Sequence, residues 1–339
     1  LTTDGPVLNA YLQLLDQPLS DYTLAATLIW AGPYQPLWTL LHRCLCQFAL
    51  VGDSLTLLRP PIGSSADDES AALAEAIDIC RAHNERAGRP GATCMEYVNQ
   101  EWLRRHRLPG WTRMPNSRDY LYETRRLITL AGSDLKSKRQ MKSRFTRRYD
   151  VRLAPYEPGR HLQPCLDLLE VWNEQVRDRA GQAGVDPAAK RCDDIIATSR
   201  ALRLADELDL VGLVLFADDR LGGFTLGEPL GRDAFSVLIE KTDRDLEGSA
   251  NYIYSEFAAR CFADRRWTNA GDDWDIENLR RVKESWRPAM RLEKFTLWPP
   301  TPVVVDVAAD LAPLRSNRAC PLAEPTDLDA LLRLESESF

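Results

Sequence analysis

Asn269-Ala-Gly-Asp-Asp-Trp-Asp-Ile-Glu-Asn-Leu-Arg-Arg-Val-Lys-Glu-Ser-Trp-Arg-Pro288 carries the most information in this chain. It opens on a short strand (Trp267–Ala270), turns through Gly271-Asp272-Asp273, and enters a helix over Ile276–Trp286 with Asp275 as its N-cap. Leu279, Val282 and Trp286 fall on one apolar face of that helix. Arg280, Lys283 and Arg287 fall at i, i+3 and i+7 on another, a cationic rail suited to phosphate or to a developing oxyanion. The plainer alternative pairs Arg280 with Asp272 or Asp273. A last strand, Arg291–Leu297, follows.

Upstream, the helix Ser249–Ala263 shows an i, i+3, i+4, i+7 stripe through Ala250, Ile253, Tyr254, Phe257, Ala258, Cys261 and Phe262. Three strands precede it: Leu210–Phe216, Leu221–Gly227 and Ala234–Glu240, the first two joined by the tight turn Asp218-Asp219-Arg220. Helices fill Leu162–Arg177 and Asp193–Ala205. Ligands in α/β sheets collect beyond the carboxyl ends of strands, which brings Glu240 and Lys241 together with Asp272 and Asp273 as candidates. Gly248-Ser249 opens a helix, where free N–H groups suit an anion.

The first half repeats this order. Leu37–Leu58 reads as two short strands around Val51-Gly-Asp-Ser54. A helix over Asp67–Ala87 carries the stripe Leu73, Ile77, Cys80 and stops at Gly88 and Pro90. A strand (Ala92–Tyr97) and a short basic helix follow, and Glu101-Trp-Leu-Arg-Arg105 matches Glu277-Asn-Leu-Arg-Arg281 at four of five positions. Common element order around that match predicts an internal duplication. The chain accordingly divides into units at 1–150 and 151–298, a Pro-rich linker at 299–317, and a tail at 318–339.

The composition is that of an ordinary globular chain: 339 residues, 44% hydrophobic and 27% charged. No stretch approaches the roughly 20 apolar residues of a membrane span, and no signal peptide opens the chain, which begins at Leu1. The eight cysteines are scattered without a CxxC pair, which predicts reduced, mostly buried thiols, a cytoplasmic setting and no zinc. Four histidines offer little for a triad or metal site, and His83 and His106 read as solvated. Charge is uneven: Glu101–Arg152 holds fifteen Lys/Arg against five Asp/Glu, within a chain of net charge −7. The band is densest at Lys136-Ser-Lys-Arg-Gln-Met-Lys-Ser-Arg-Phe-Thr-Arg-Arg148, either a solvated helix face or a phosphate-attracting patch.

Asn269–Pro288 resembles a stretch of the C-terminal catalytic domain family of phosphatidylglycerol lysyltransferases, N-x-E-D/E-D…L-R-K-x-K-x-S-Y-x-P. Asn269, Asp272, Asp273, Leu279, Arg280, Lys283, Ser285 and Pro288 match, with Trp286 in place of the tyrosine and Gly271 in place of an acid. Ser137-Lys-Arg-Gln-Met-Lys-Ser-Arg-Phe145 is similar to the family's K-R-N-x-x-x-x-F, and Ile239-Glu-Lys241 to its I-E-K strand end. The resemblance covers roughly residues 10–297. It implies an α/β (α+β) fold of two tandem GNAT-like units related to Fem-type aminoacyltransferases. It also implies transfer of an aminoacyl group from aminoacyl-tRNA to a hydroxyl or amine. By that analogy Arg280 and Lys283 hold phosphate or the oxyanion, Asp272, Asp273 or Glu240 holds or deprotonates the acceptor, and Lys138 and Arg139 face the tRNA.

Two alternatives stay open. One is a coenzyme A-dependent N-acetyltransferase using acetyl-CoA, for which Gly248 and Ala250 supply half of the R/Q-x-x-G-x-G/A loop, although Asp245 puts an acid where that loop is basic. The other is a non-catalytic tRNA- or protein-binding module. No bound cofactor is expected, aminoacyl-tRNA being a co-substrate. The acceptor is a soluble peptide, small molecule or lipid. The tail Arg318–Phe339 looks like the start of a further GNAT domain, which predicts a fragment of a longer protein; a docking helix is the alternative.

Overall fold

The computed structural model describes residues 4–15, 17–32, 34–183, 188–300 and 315–316. Its first repeat runs β1 (Gln35–Leu41), β2 (Cys44–Val51), β3 (Ser54–Leu57), α3 (Ala66–Arg86), β4 (Met95–Asn99), α4 (Gln100–Arg105) and β5 (Thr112–Glu123). The second runs β7 (Val211–Ala217), β8 (Arg220–Leu230), β9 (Ala234–Thr242), α9 (Ser249–Cys261), β10 (Trp267–Asn269), α10 (Glu277–Ser285) and β11 (Met290–Trp298). Helices α1 (Gly5–Leu12) and α2 (Leu24–Ile29) precede the first repeat. Between the repeats lie α5 (Thr124–Thr129), α6 (Lys136–Arg148), β6 (Val151–Pro155), α7 (Pro158–Ala183) and α8 (Ala188–Arg203). The Pro-rich stretch 299–317 falls largely outside the described residues, apart from its first two residues and β12 (Arg315–Ser316), and 318–339 lies outside them altogether.

In each repeat an antiparallel meander is followed by a helix and then a parallel strand. The last strands are exchanged. β11, from the second repeat, pairs with β4 of the first, and β5, from the first, pairs with β10 of the second. β5 and β11 also pair with each other, which fuses everything into one twelve-stranded mixed sheet in the order β12-β1-β2-β3-β4-β11-β5-β10-β9-β8-β7-β6. Backbone groups of the two repeats thus satisfy each other across the seam, as buried N–H and C=O groups require.

Local chemistry explains the elements. α3 starts at Ser65, whose hydroxyl caps the Asp68 N–H, has Asp67, Asp68 and Glu69 in its first turn, and buries Leu73, Ile77 and Cys80. They pack on Phe48, Leu55 and Leu57 of the sheet. α9 buries Ile253, Tyr254, Phe257 and Ala258, while Ala250 and Cys261 lie toward the surface. Phe235 stacks on Phe262 at 4.3 Å and meets Phe257 edge-on at 6.0 Å. Each such buried aromatic or aliphatic side chain contributes roughly 1.5–3 kcal/mol.

Several sequence expectations change. Leu37–Leu58 holds three strands, because His42 and Arg43 (φ +46° and +60°) make a tight turn without glycine. β5 and β6 appear where no strand was expected. His106 is buried, not solvated: its ring stacks on Trp102 at 3.9 Å and its Nε2 lies 3.1 Å from Glu69, tying α4 to α3. Asp275 does not cap α10; Ile276 holds the cap position and makes no side-chain cap bond. Val282 is 49% exposed and Leu279 half-buried, so only Trp286 of that apolar face is core.

Candidate active site

β9 and β10 run parallel through three register pairs, ending at Asn269↔Ser236. Beyond them they part: β9 continues along β8, while Ala270 and Gly271 exchange backbone hydrogen bonds with Tyr120 of β5. A gap opens between the two arms, at the carboxyl ends of parallel strands where ligands gather. Lys283, from α10, reaches into it and donates to the Ala270 carbonyl.

On the other arm, Leu226 pairs with Ile239 and Gly227 with Val237, so Leu238 is an extra residue in the ladder. Such a bulge re-aims the side chains beyond it. Ile239 joins the core beneath α7 and α8. Glu240, one residue on, therefore faces the opposite side, towards α9 and α10. Its carboxyl lies near Lys283 and Lys138. Burial pushes the Glu240 carboxyl up to about 8 despite the nearby Lys241, Lys283 and Lys138, and Oε2 is buried without a hydrogen-bond partner. The Tyr254 hydroxyl is a second buried, unpartnered polar group near Glu240. Burial likewise lowers the Lys283 ammonium to about 8, against the pull of Asp272, Asp119 and Asp273. Both groups sit in the range where proton transfer near neutral pH is efficient.

Lys138 turns inward from α6. Its Nζ lies 4.7 Å from the centre of the Trp286 ring, and burial lowers its pKa. It thus lies on the gap side of α6, over Trp286, rather than on the helix's outward face. Arg139 caps the Leu130 and Gly132 carbonyls beyond α5. Lys142 is held by Ser255 and Glu256 at 2.8 Å. Among the cations that α6 leaves exposed, Arg144, Arg147 and Arg148 line, with Met141 and Glu247, a surface pocket of about 400 Å³.

Other sequence candidates separate. Lys241 points to the far face, bonded to Asp194 of α8 at 2.9 Å with its ammonium 4.4 Å from the Trp172 ring. Consecutive strand residues cannot share a face, which is why Glu240 and Lys241 are not one pair. Asp273 is buried and locked by Arg280 Nε at 2.8 Å, Tyr120 OH at 2.5 Å and the Asp275 N–H at 3.0 Å. Those bonds overcome burial and hold its carboxyl down at about 2. Arg280 is committed to Asp273 and Asp275, which realises the plainer pairing and removes it from the rail. Gly248 and Ser249 are buried, and α6 lies across them: a Cβ at Gly248 (φ +94°) would stand 2.7 Å from the Met141 carbonyl oxygen. The Ser249 N–H is already bonded to Leu246 O.

Asp272 leads to residues the sequence did not single out. It lies 3.5 Å from Lys294 of β11, a fully buried lysine paired with Asp119 at 2.8 Å and also with Asp21. Asp119 accepts from Ser20 N and Asn269 Nδ2, each at 2.7 Å. Burial pushes Asp21 up to about 6, whereas the buried ammonium holds Asp119 below the usual carboxylate range. Within this cluster Asp119 and Lys294 sit on the exchanged strands, and they hold Asn269 and Asp272 on either side of Ala270. Nothing local in the sequence marks Lys294, whose partners come from 21, 119 and 272. Among the described residues no group of His, Cys, Asp and Glu could hold a metal ion, and no helix is long and apolar enough to cross a membrane.

Known proteins share this architecture. A crystal structure of a conserved protein of unknown function from Bacteroides thetaiotaomicron superposes with a TM-score of 0.73 at 25% identity, over 88% of this chain and 97% of that one. L-PGS from Bacillus licheniformis gives 0.61 at 14% identity, over 89% and 93%. The C-terminal domain of a putative lysylphosphatidylglycerol synthetase from Agrobacterium fabrum gives 0.58 at 12%, over 87% and 92%. Among curated sequences, an uncharacterized protein of Mycoplasmoides gallisepticum is 24% identical over 185 residues, 53% of this chain and 56% of that protein, so the match spans little more than half of its curated relative. Residues 12–298 match the C-terminal region of phosphatidylglycerol lysyltransferase, and the chain belongs to that family.

Proposed function

We propose that this member of an acyltransferase family moves an aminoacyl group from a charged tRNA to a hydroxyl or amine on a soluble or lipid acceptor. The observation that carries the donor assignment is the position of α6. It lies against the N-terminus of α9, where a coenzyme A pyrophosphate would need open N–H groups. The same helix turns Arg144, Arg147 and Arg148 outward around a pocket, an arrangement suited to a nucleic-acid backbone.

In this reading the acceptor enters the gap between β9 and β10. Neutral Lys283 takes the proton as the acceptor oxygen or nitrogen attacks the ester carbonyl. Glu240, protonated near neutral pH, gives its proton to the departing ribose oxygen as the C–O bond breaks. Proton return from Lys283 to Glu240 resets the pair. Positioning and two matched acid–base groups suffice for an activated ester, so no covalent nucleophile is required.

The test is transfer of radiolabelled amino acid from charged tRNA into an extract acceptor. Label should appear with the wild type and vanish with Lys283→Ala or after RNase treatment of the tRNA. Label that persists in both controls, or a thermal shift with millimolar acetyl-CoA and none with tRNA, overturns the proposal.

A further inference from the structure

The first repeat has a gap of its own. β3 and β4 run parallel but share a single register pair, Leu57↔Met95, and then part. Arg59 stands two residues past that pair and is 2% exposed. Its Nη2 donates to Thr27 Oγ1 at 2.7 Å, and the guanidinium carbon lies 5.7 Å from the centre of the Tyr22 ring. Nε and Nη1 are buried and have no hydrogen-bond acceptor. The nearby carboxylates are engaged elsewhere, Asp21 with Lys294 and Glu96 with the Thr56 hydroxyl at 3.4 Å.

On the β4 side, Lys294↔Asn99 and Phe295↔Val98 give way to Leu297↔Met95, so Glu96 and Tyr97 together oppose Thr296 as a bulge. Tyr97 has φ +48°, in the left-handed region that an aromatic residue rarely adopts, and its carbonyl accepts from Tyr22 OH at 2.6 Å. Tyr34, whose hydroxyl donates to the Thr27 carbonyl at 3.2 Å, is half-buried, as are Glu96 and Tyr97, so the cluster reaches the surface on this side. The two gaps are filled differently. In the second repeat a lysine from α10 occupies the opening. In the first, α4 stops at Arg105, and Arg107, which aligns with Lys283 when the five-residue match is extended by two residues, is exposed.

A buried cation with two unmade donors is unfavourable unless an acceptor completes it. Guanidinium matches planar oxyanions best, and tyrosine walls accommodate a small organic body. Two carboxyl groups, Asp21 and Glu96, border the opening, which favours a singly charged carboxylate over a doubly charged phosphate. We propose that the gap between β3 and β4 is a binding site for a small molecule or peptide end bearing a carboxylate, with Arg59 as its anchor. It is separate from the gap of Glu240 and Lys283 and does not depend on the donor assigned there.

Thermal melting of the full chain tests this with N-acetylglycine as the carboxylate probe, inorganic phosphate as the competing oxyanion, and glycinamide as the control without a carboxylate. At about ten times the dissociation constant, N-acetylglycine should raise Tm by about 2 °C. Glycinamide should not. Arg59→Lys and Arg59→Gln should lose the rise, and Lys283→Ala should keep it. If the Arg59 variants fail to fold, the arginine Nε–H resonance of the wild type should move downfield on adding N-acetylglycine. No rise in the wild type, an equal rise in Arg59→Gln, a response to phosphate alone, or an unmoved Nε–H resonance each overturns the assignment. A chain that binds N-acetylglycine without transferring amino acids would separate this inference from the proposed reaction.

Discussion

Replacing Lys294 with methionine keeps most of the side-chain volume and deletes the charge at the centre of the seam. The ammonium is fully buried, 2.8 Å from an equally buried Asp119 carboxylate and 3.5 Å from Asp272. Removing one partner of such a pair leaves an uncompensated charge and costs about 3–5 kcal/mol. Asp119 keeps its bonds from Ser20 and Asn269, so the lower end of that range is expected. With roughly 2.1 cal/mol/K of unfolding entropy per residue, the full range corresponds to about 4–7 °C for a chain of this length, and a fall in Tm of about 4 °C is expected. The pH dependence sharpens the test. Lys294 is held well above its ordinary 10.5, so its contribution is complete below that value and is lost only as pH rises through the higher folded one. At pH 7 the wild type therefore has all of it. In the variant, Asp119 loses its cation and burial pushes its carboxyl up, so protonation relieves the strain as pH falls. Calorimetry should show the difference between the two proteins narrowing from pH 7 to pH 5. Adding Asp119→Leu should recover much of the loss, because an apolar pair is tolerated where half an ion pair is not. A fall of less than about 2 °C, or a deficit unchanged at pH 5, refutes the reasoning.

Glu240→Gln should lower kcat/KM about 10²–10⁴-fold while leaving Tm unchanged or higher, since a neutral amide removes a carboxyl that burial disfavours; a drop in activity accompanied by unfolding would not support the role. Transfer rate against pH should be bell-shaped with its maximum near 8, because Lys283 must be neutral and Glu240 protonated, and both lie at about 8; a rate flat from pH 6 to 10 contradicts the pairing. Asp21→Asn should flatten the stability profile between pH 4 and 7: its carboxyl is raised to about 6, so its contribution is complete below 3.8 and lost as pH rises through 6, which urea melts would resolve. Gln at Arg144, Arg147 and Arg148 together should weaken tRNA binding and lower the slope of log K against log salt by about 3 if each meets a phosphate; an unchanged slope excludes that face.

The sequence was most legible where one local rule acts. The stripe of α9, the buried face Leu73, Ile77 and Cys80 of α3 with its stop before Gly88, and the Asp218-Asp219 turn with both φ positive follow from residue spacing and turn chemistry. β5 was not legible, because its first half is exposed and carries Pro115 and Asn116, and only Asp119–Tyr122 is buried. Period-two alternation could have separated Glu240 from Lys241. Which of them meets Lys283 depends on the bulge at Leu238, and a bulge leaves little trace in composition. Lys138 reads as part of an outward band and Lys283 as part of a cationic rail with Arg280 and Arg287; that both are buried beside Glu240 comes from the tertiary packing of α6 and α10, which no local pattern carries.

The exchange of β5 and β11 explains why the candidate site needs both repeats. Lys283 and Glu240 belong to the second repeat, yet the arm of the gap that carries Ala270 is held by β5, a strand of the first. Asp119 on β5 and Lys294 on β11 then pair across the seam, while the segment around Ser20 and Asp21 closes over them from the N-terminus. A buried ion pair is a poor source of stability but a good source of register, since a one-residue slip would leave both charges unmatched. The Lys294–Asp119 pair therefore sets which residues of the two repeats lie opposite each other, and through that register it sets where Asp272 and the Ala270 carbonyl meet Lys283.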